Sequence, residues 1–521
     1  MNVEITLKNY RCFPDTNPAK FVVRTGMTSF LGVNNSGKSA LLKFFFEFRD
    51  LFVRLADVGQ LAAGISSEIT FNPAGIQDQR ELFTRSNLRD LSIGFAFSYE
   101  ELSKPLTLNI TVPHGTNRAG IELTLQDGIQ VNSQKGVGTD GSRLVVPDHE
   151  QVEMQEALQV FQTLSRMRFI GAFRNALNVG EKADYFDMKT GQAFMHEWRS
   201  RQTGRSTVEN EAIHTLSEDI RRIFELDDLR INTADDGQTL QLLVNGESRK
   251  LEEVGSGLAQ FILVLGSVAF EEPSFILIDE PEMNLHPALQ LDFLTTLASY
   301  TSDGVLFTTH NVGLAEGAAD WSYALQRLGE GESVLTEYQR VPRLPELLGE
   351  LSYSGFKDLT FEKLLLIEGR TDIKTLHQFL QLYGKAHKVV LVPMGGGEMI
   401  NSKSEFELAQ IARITGDVSV LIDSERASKE DPLSKERQAF VGICEGLQMP
   451  CHVLELRALE NYLSDSAIKS HKGEGFKALG AYEKLGNADL PWAKTENWRI
   501  ANRMSKADLD GTDLGEFLAN L

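Results

Sequence analysis

The sequence predicts an α/β protein of two parts, each built around its own parallel sheet. Three observations lead to this fold class. Near residues 28–45 an apolar strand, a glycine loop and an apolar helix follow one another. Between about 65 and 147, short alternating segments such as LTLNITV predict an antiparallel β layer. Beyond residue 360, the strand-like segments LLLIEG, VVLVPM, VSVLID and HVLELR alternate with helical ones, which predicts a second parallel sheet.

Composition sets the broad class. The 521 residues carry 52 Lys and Arg against 73 Asp and Glu, a net charge of −21, and 42% are hydrophobic. These values exclude a disordered, collagenous or coiled-coil chain and argue against coating nucleic acid by bulk charge, although a local basic groove or a metal-assisted site stays open. Cys12, Cys444 and Cys451 lack metal-ligand spacing, which favours a reducing cytoplasm. No signal peptide opens the chain, and the longest apolar run, residues 261–270, predicts no membrane span.

A complete phosphate-binding loop lies near the N-terminus. Residues 32–39 read G-V-N-N-S-G-K-S, and they join a strand at Thr28–Leu31 to a helix. The loop residues Gly32, Asn35 and Gly37 are predicted to surround the phosphates of ATP, with backbone N–H groups at the helix start as donors. Lys38 is predicted to reach the β- and γ-phosphates, and Ser39 to ligate Mg²⁺.

A second motif is predicted to complete the nucleotide site. The apolar strand FILI ends in Asp279 and Glu280, at the carboxyl edge where ligands of parallel sheets bind. Asp279 is predicted as a magnesium ligand and Glu280 as the general base for water. His310 follows the strand VLFTT, and two interpretations are open: contact with the γ-phosphate, or a structural histidine.

A glycine-rich segment precedes this strand. Gly255, Ser256 and Gly257 open a helix, which is a phosphate-binding arrangement. The segment resembles the signature motif of ABC-type ATPases, residues 280–286 (EPEMNLH) resemble their Walker B and D-loop, and with N-Y-R-C-F at 9–13 the whole looks like the SMC/RecF/OLD branch. The resemblance implies that one subunit's signature completes the ATP site of another, hence a homodimer, with residues 150–225 as a helical insert for dimerisation. In this chain GSG replaces the usual SGG-type core of the signature motif, and the sequence shows no Q-loop and no coiled-coil insert. Arg174 is a candidate basic residue near the nucleotide.

Acidic residues follow the strands of the second predicted sheet. Glu368 ends one strand, Asp372 lies four residues later, and Asp423 and Glu425 follow another strand. Between them, a strand runs into the glycines 395–397. Clustered carboxylates repel one another, and oxygen-only ligands favour Mg²⁺ or Mn²⁺ over zinc. The sequence therefore predicts a divalent metal site here.

This pattern resembles a TOPRIM domain, the fold of topoisomerases, primases and OLD-family nucleases. Glu425 stands where the family has a second Asp, which keeps a carboxylate. The segment R-A-L-E-N-Y, with Glu460, looks like the OLD-type element whose Glu helps to hold a second metal ion. Two metal ions stabilise the attacking and leaving oxygens of a phosphodiester. Lys494 is favoured over Lys506 as the basic residue near the scissile phosphate; its alternative is a surface charge.

The C-terminal segment is locally basic. Residues 469–506 hold eight Lys and Arg and four Asp and Glu, a net charge of +4. Trp492 and Trp498 lie among them, and a basic strip with aromatic residues can guide a nucleic-acid strand. The alternative is that the two tryptophans pack the C-terminal helix.

Together the two motif sets resemble an OLD-family protein. The resemblance implies an ATPase domain at 1–340, a linker at 341–360 and a TOPRIM nuclease with a C-terminal helical extension at 361–521. It implies ATP, two Mg²⁺ or Mn²⁺ ions, a DNA or RNA substrate, and phage defence, with a defence-system protein or RNA as a further partner. Two alternatives are a nucleotide-sensing scaffold with a degenerate TOPRIM site and a RecF-like repair ATPase. A topoisomerase is disfavoured because the sequence offers no persuasive nucleophilic tyrosine.

Overall fold

A computed structural model of the chain divides into two compact units. Unit 1 comprises Met1–Ala315 and Ala319–Gln339, and unit 2 comprises Glu316–Ala318 and Arg340–Leu521. The structure describes the chain except residues 1, 98–105, 126, 135, 148–150, 173–183, 205–206, 235–238, 270, 284, 329–330, 339–362, 387, 395–407 and 409–417. The predicted linker, Arg174 and the glycines 395–397 lie outside the described residues. No helix in the described part of the chain is long and apolar enough to cross a membrane.

An antiparallel sheet forms one layer of unit 1, as the alternating segments predict. Its strands run in the order β2-β1-β5-β6-β7-β4, with β8 paired to β7. Every second residue is buried, because successive side chains of a strand point to opposite faces. The strands are β1 (Asn2–Lys8), β2 (Ala19–Arg24), β4 (Ile69–Thr70), β5 (Leu91–Phe97), β6 (Leu106–Val112), β7 (Arg118–Thr124) and β8 (Gln130–Val131).

A mostly parallel sheet forms the other layer of unit 1 and carries the nucleotide motifs. Its order is β12-β18-β19-β3-β20-β21, and only β21 is antiparallel. The central strands β18 and β19 are buried throughout, as expected for a sheet covered on both faces. The strands are β3 (Gly26–Gly32), β12 (Arg168–Ile170), β18 (Phe275–Asp279), β19 (Gly304–Thr309), β20 (Trp321–Arg327) and β21 (Ser333–Glu337).

Helices and small sheets complete unit 1. Three helices fall within the predicted helical insert at 150–225, whereas the three-stranded sheet at 229–250 is an element that the sequence reading missed. The helices are α1 (Lys38–Glu47), α2 (Arg49–Leu55), α3 (Val58–Ser66), α4 (Gln155–Ser165), α5 (Gly191–Thr203), α6 (Thr207–Ile223), α7 (Ser256–Val268), α8 (Pro287–Ser299) and α9 (Val312–Ala318). The small sheets contain β9 (Gly138–Asp140), β10 (Arg143–Val145) and β11 (Val152–Glu153); β13 (Asp184–Tyr185) and β14 (Met188–Lys189); and β15 (Leu229–Thr233), β16 (Leu240–Val244) and β17 (Glu247–Lys250).

Unit 2 has a four-stranded, fully parallel sheet in the order β23-β22-β24-β25. Its apolar core includes Leu364, Leu366, Val420, Ile422 and Phe440. The strands are β22 (Lys363–Ile367), β23 (Val389–Pro393), β24 (Val418–Ile422) and β25 (Cys451–Val453). The helices are α10 (Thr371–Leu382), α11 (Lys435–Gly446), α12 (Asp465–Lys472), α13 (Asn497–Ala501), α14 (Lys506–Leu509) and α15 (Asp513–Asn520), with 3₁₀ turns that include Leu459–Tyr462 and Lys494–Glu496.

The lack of a side chain at Gly304 allows β19 and β3 to approach closely. Adding one methyl group at this position is therefore expected to destabilise unit 1. A Cβ at Gly304 would stand 1.9 Å from the carbonyl oxygen of Gly26, and its φ of +156° disfavours other residues. We expect Gly304→Ala to lower the free energy of unfolding by about 2 kcal/mol or more, measured by urea denaturation. The control is Gly120→Ala on β7, where the nearest atom lies 4.0 Å away. Equal stabilities of the two variants would contradict this account.

Candidate functional site

The phosphate-binding loop adopts the conformation that its glycines predict. It leaves β3 at Gly32 and enters α1 at Lys38, and Asn35 and Gly37 have φ angles of 63° and 95°. Gly37 must lack a side chain, because a Cβ there would stand 2.6 Å from the Cys12 sulfur. The buried Lys38 donates hydrogen bonds to the carbonyls of Gly32 (2.8 Å) and Val33 (3.0 Å). Burial lowers the pKa of Lys38, and the carboxylates of Glu280, Asp279 and Glu282 oppose that shift.

Asp279 joins the two halves of the predicted nucleotide site. The Ser39 hydroxyl donates to Asp279 Oδ2 at 2.7 Å, and Thr308 Oγ1 on β19 donates to Asp279 Oδ1 at 2.5 Å. The same Thr308 oxygen accepts the backbone N–H of Glu280 at 3.0 Å. The two predicted magnesium ligands, Ser39 and Asp279, therefore lie in contact, and Thr308 orients the carboxylate. The sequence analysis did not single out Thr308. The feature that could have indicated its role is its position near the end of β19, the strand parallel to β18.

Glu280 and Glu282 take different positions after β18. Glu280, with a φ of 49°, approaches Lys38 to 4.0 Å between Oε1 and Nζ. Glu282 is buried and accepts from the Thr309 hydroxyl at 2.6 Å and from the His310 backbone at 3.1 Å. His310 Nδ1 also lies 3.1 Å from Glu282 Oε1, and just over half of the His310 side chain is exposed. The structure therefore gives His310 a carboxylate partner, and its contact with a γ-phosphate stays a prediction.

A cavity of about 1160 Å³ opens over the phosphate-binding loop. Asn35, Gly37, Lys38, Ser39 and Glu280 line it together with Arg11. Its volume is above the range of roughly 300–1,000 Å³ that is usual for small-molecule sites, so a nucleotide fits within it. Five of the residues predicted to bind or act on ATP thus line one cavity.

Arg11 reaches this cavity from the N-terminal motif at 9–13. Its guanidinium forms an ion pair with the buried Glu47 at the end of α1, and Tyr10 donates to Glu47 Oε2 at 2.7 Å. Burial raises the pKa of Glu47 despite the neighbouring Arg11. The motif therefore ties the residues after β1 to the helix that begins at the phosphate-binding loop.

The predicted signature residues lie apart from the cavity. Gly255 precedes α7, Ser256 is its first residue, and both are exposed. Among the described residues that line the cavity, none belongs to Gly255, Ser256 or Gly257.

Unit 2 gathers most of the predicted carboxylates at one edge of its sheet. Asp372 begins α10, Asp423 follows β24, and both are buried together with Glu460. The Asp423 backbone N–H donates to Glu368 Oε2 at 3.3 Å, and the Leu459 N–H donates to Asp423 Oδ1 at 3.2 Å. Parallel strands end at the same edge, which is why residues 55 positions apart meet here.

Burial and mutual repulsion raise the pKa values of these acids. Desolvation is the largest cause for Asp372, whose pKa rises to about 6, with further increases from Glu460 and Glu368 and an opposing effect of Lys494. Burial, then Asp372 and Glu368, raises the pKa of Asp423 well above its usual value. Burial also raises the pKa of Glu368. The cluster therefore holds more negative charge than its surroundings stabilise.

Cationic side chains partly neutralise the cluster. Arg437 on α11 donates to both Glu368 oxygens at 2.8 and 2.9 Å, and Lys494 Nζ lies 3.2 Å from Glu460 Oε2. Burial lowers the pKa of Lys494, but Glu460, Asp372 and Asp423 outweigh this and raise it overall. A cavity of only about 10 Å³, roughly one water molecule, adjoins Glu368, Asp372 and Asp423. Across the described residues, no three His, Cys, Asp or Glu side chains are arranged as metal ligands around one point.

Glu425 and the R-A-L-E-N-Y segment lie beside this group. Glu425 forms an ion pair with Arg457 and is about two-fifths exposed, so it is the least enclosed of the predicted ligands. Asn461 and Tyr462 have structural partners: Asn461 donates to the carbonyls of Gly480 (2.7 Å) and Glu483 (2.9 Å), and Tyr462 donates to Asp513 (2.6 Å). These bonds hold the turn that presents Glu460. Arg437 was missed because a lone arginine in a helix carries no sequence signal.

Comparisons with known proteins find a family similarity within unit 1. A family model described as "AAA domain, putative AbiEii toxin, Type IV TA system" matches residues 168–316, which include Gly255, Asp279, Glu280 and His310. Together with the phosphate-binding loop beside Asp279, this match supports a P-loop ATPase-type domain that is similar to the AAA family. A search of the curated proteins finds no match.

Among solved structures, the SMC head domain from Thermotoga maritima is 14% identical and covers 65% of this chain and 100% of its own, with a TM-score of 0.33. An SmcHead bound to the C-winged helix domain of ScpA is 11% identical, covering 66% of this chain and 98% of its own, with a TM-score of 0.35. An Smc head domain with an extended coiled coil, bound to the C-terminal domain of ScpA derived from Pyrococcus furiosus, is 10% identical, covering 67% and 98%, with a TM-score of 0.33. Likenesses at this level carry no functional information to this chain.

The ionised side chain of Asp372 is expected to lower the free energy of unfolding at neutral pH. Its folded pKa of about 6 lies above its unfolded value of about 3.9, so ionisation is unfavourable in the folded protein. The cost is present above pH 6 and disappears as the pH falls toward 4. We expect Asp372→Asn to raise the free energy of unfolding by about 2 kcal/mol at pH 7.5, and by less at pH 5, in urea titrations. A variant less stable than the wild type at pH 7.5 would be inconsistent with this electrostatic account.

Proposed function

We propose that the chain is an ATP-binding and ATP-hydrolysing, metal-dependent nuclease that cuts or nicks DNA in the cytoplasm. Unit 1 is assigned as an ABC-type ATPase of the SMC/RecF/OLD branch, and unit 2 as a TOPRIM nuclease domain. RNA is the second substrate to test, and phage defence with a partner protein or RNA is the proposed setting. The observation that carries the nuclease assignment is the convergence of Glu368, Asp372 and Asp423 at the carboxyl edge of a parallel sheet.

In the ATPase, Lys38 binds the β- and γ-phosphates, and Ser39 and Asp279 hold Mg²⁺. Their hydrogen bond and the cavity over the loop support this assignment. Glu280 accepts the proton of the attacking water. Gly255, Ser256 and Gly257 act on the ATP of a second subunit, which makes the protein a homodimer; their exposure and their absence from the described cavity lining support an action in trans.

Thr308 gives a test of the ATPase assignment. Thr308→Val removes the hydrogen bonds to Asp279 Oδ1 and from the Glu280 backbone, so both acidic side chains lose their orientation. We expect the rate of Mg²⁺-dependent ATP hydrolysis to fall at least tenfold, which corresponds to about 1.4 kcal/mol. Thr336→Val, at an exposed position of β21, is the control. Unchanged hydrolysis by Thr308→Val would refute the proposed geometry.

In the nuclease, Glu368, Asp372, Asp423, Glu425 and Glu460 are the proposed oxygen ligands of two Mg²⁺ or Mn²⁺ ions. Their donor chemistry fits these cations, and the raised pKa values of Asp372 and Asp423 indicate a group of acids that a cation would stabilise. Bound metal ions supply stabilisation of the attacking and leaving oxygens. Metal binding requires Arg437 and Lys494 to give up their present carboxylate partners, which leaves Lys494 available to the scissile phosphate.

A nucleotide-sensing scaffold with a degenerate TOPRIM site is the second candidate. One observation favours it: Glu368, Glu425 and Glu460 already pair with Arg437, Arg457 and Lys494. In that function the cations stand permanently in place of metal ions, and the ATPase assembles with a partner. Plasmid DNA incubated with the protein and Mg²⁺ or Mn²⁺, with and without ATP, separates the two, because only the nuclease produces nicked or linear DNA.

Glu368→Ala tests the nuclease site directly. We expect metal-dependent cleavage of plasmid DNA to be abolished, while ATP binding measured by equilibrium titration stays at the wild-type level. Glu474→Ala, an exposed acid of unit 2, is the control for the loss of one charge. Because Glu368→Ala leaves Arg437 without its partner, the milder Asp423→Asn is tested in parallel. Normal cleavage by both variants would show that the TOPRIM assignment is wrong.

A further inference from the structure

Asp513, the first residue of α15, closes a loop that lies beside the acids of unit 2. The loop comprises residues 455–462, and we call it the Glu460 loop. Its first residue, Glu455, donates its backbone N–H to Asp513 Oδ2 at 2.9 Å, and the hydroxyl of its last residue, Tyr462, donates to Asp513 Oδ1 at 2.6 Å. The Asp513 side chain is only 10% exposed. One enclosed carboxylate therefore joins the two ends of the loop.

The Glu460 loop contacts two of the proposed metal ligands and carries a third. The Leu459 N–H donates to Asp423 Oδ1 at 3.2 Å, and the Arg457 carbonyl accepts the Glu425 N–H at 2.9 Å. Arg457 also forms an ion pair with the Glu425 side chain, and Glu460 belongs to the loop itself. The relative positions of Asp423, Glu425 and Glu460 therefore depend on the conformation of one loop.

The helix that supplies Asp513 has anchors that do not involve this carboxylate. Leu514 and Leu518 of α15 are fully buried. The Phe517 ring stacks on His452 of β25, with 4.7 Å between the ring centroids. His452 Nε2 also lies 3.0 Å from Asp513 Oδ2, which adds a second tie between the carboxylate and the residues before the loop. Removal of the Asp513 carboxylate is thus expected to release the loop while α15 remains packed on the sheet.

We propose that Asp513 is a positioning residue for the metal ions of unit 2, because it fixes the Glu460 loop and through it the spacing of Asp423, Glu425 and Glu460. Asp513 is not one of the proposed ligands, and both of its oxygens accept hydrogen bonds from the loop. The proposal rests on the proposed function, since it concerns the metal site assigned there. Residues that orient metal ligands without touching the ion typically contribute about 10- to 100-fold to metal affinity.

The physical reason is that metal binding requires several carboxylates to be held together. Mg²⁺ demands near-ideal octahedral geometry, and a segment that becomes ordered only when the ion binds lowers the affinity by the conformational entropy that it loses. A loop that Asp513 already closes has lost this entropy on folding. Without the carboxylate, the cost falls on the binding step, so the affinity decreases although every ligand is still present.

The test measures Mn²⁺ binding by the full-length protein, without nucleotide or nucleic acid, from the electron paramagnetic resonance signal of the free ion. We expect Asp513→Ala to raise the Mn²⁺ dissociation constant about tenfold or more. Tyr462→Phe is expected to have a smaller effect, because the bond from the Glu455 N–H to Asp513 remains, although the Leu456 N–H loses the Tyr462 oxygen as its acceptor. The double variant is expected to show less than the product of the two effects, since both substitutions remove the same hydrogen bond.

Thr512→Ala is the matched control, because it weakens the same helix and leaves the Asp513 carboxylate in place. The Thr512 side chain caps α15 by accepting the Gly515 N–H at 3.0 Å. We expect its urea midpoint to fall, whereas its Mn²⁺ dissociation constant stays within about twofold of the wild type, since loss of a helix cap affects stability and removes no contact of the loop. A purely structural role for Asp513 would instead make Asp513→Ala resemble this control in both measurements.

Wild-type Mn²⁺ affinity in both Asp513→Ala and Tyr462→Phe would overturn the inference, and so would an equal loss of affinity in Thr512→Ala. If Asp513→Ala does not fold, Tyr462→Phe decides, because it removes a single oxygen atom. A wild type that binds no Mn²⁺ overturns the proposed metal site, and this inference with it. The two failures are distinguishable, since the first leaves Mn²⁺ binding by the wild type intact and the second does not.

Discussion

The predicted nucleotide site of unit 1 depends on the hydrogen bond from Ser39 to Asp279, which joins residues 240 positions apart. It forms only if β3, β19 and β18 lie side by side and parallel, because only then do the phosphate-binding loop and the acidic turn reach the same edge of the sheet. Gly304 and Gly26 allow β19 and β3 to approach closely. Thr308 on β19, the strand between β3 and β18, donates a hydrogen bond to Oδ1 of Asp279. Residues on or just after these three strands thus set the geometry of the predicted nucleotide site.

How far the sequence predicts this structure depends on whether a feature is local. The phosphate-binding loop, the strand before Asp279 and the alternating strands of the antiparallel layer are encoded in consecutive residues, and the structure contains all of them. The sheet at 229–250 was missed although β15 and β16 alternate between buried and exposed residues; only β17, which is exposed throughout, lacks an apolar pattern. Arg437 and Asp513 could not be recognised beforehand, since each acquires its role from a partner distant in sequence and belongs to no motif, whereas Thr308 was missed although it lies near the end of a predicted strand.

The same distinction holds in unit 2. Acidic residues after successive strands predict a cluster, and the structure brings Glu368, Asp372, Asp423 and Glu460 into electrostatic contact. The residue pattern reveals neither how deeply these acids are buried nor which cationic side chains pair with them. Glu425 illustrates this, because its position beside Asp423 in sequence suggests an equal ligand, whereas Arg457 holds it in a more exposed place.

The acidic residues of the chain differ in how much they destabilise the folded protein. Carboxylates at the surface cost little, but Asp372 and Asp423 are buried, and Asp372 disfavours the ionisation of Asp423. A protein selected only for stability would replace one of them with a neutral residue, since uncompensated buried charge is destabilising. Three cations instead hold three of the neighbouring acids in place through ion pairs that exchange of partners can break. A cluster that is costly at neutral pH and only partly neutralised fits the proposed binding of a divalent cation.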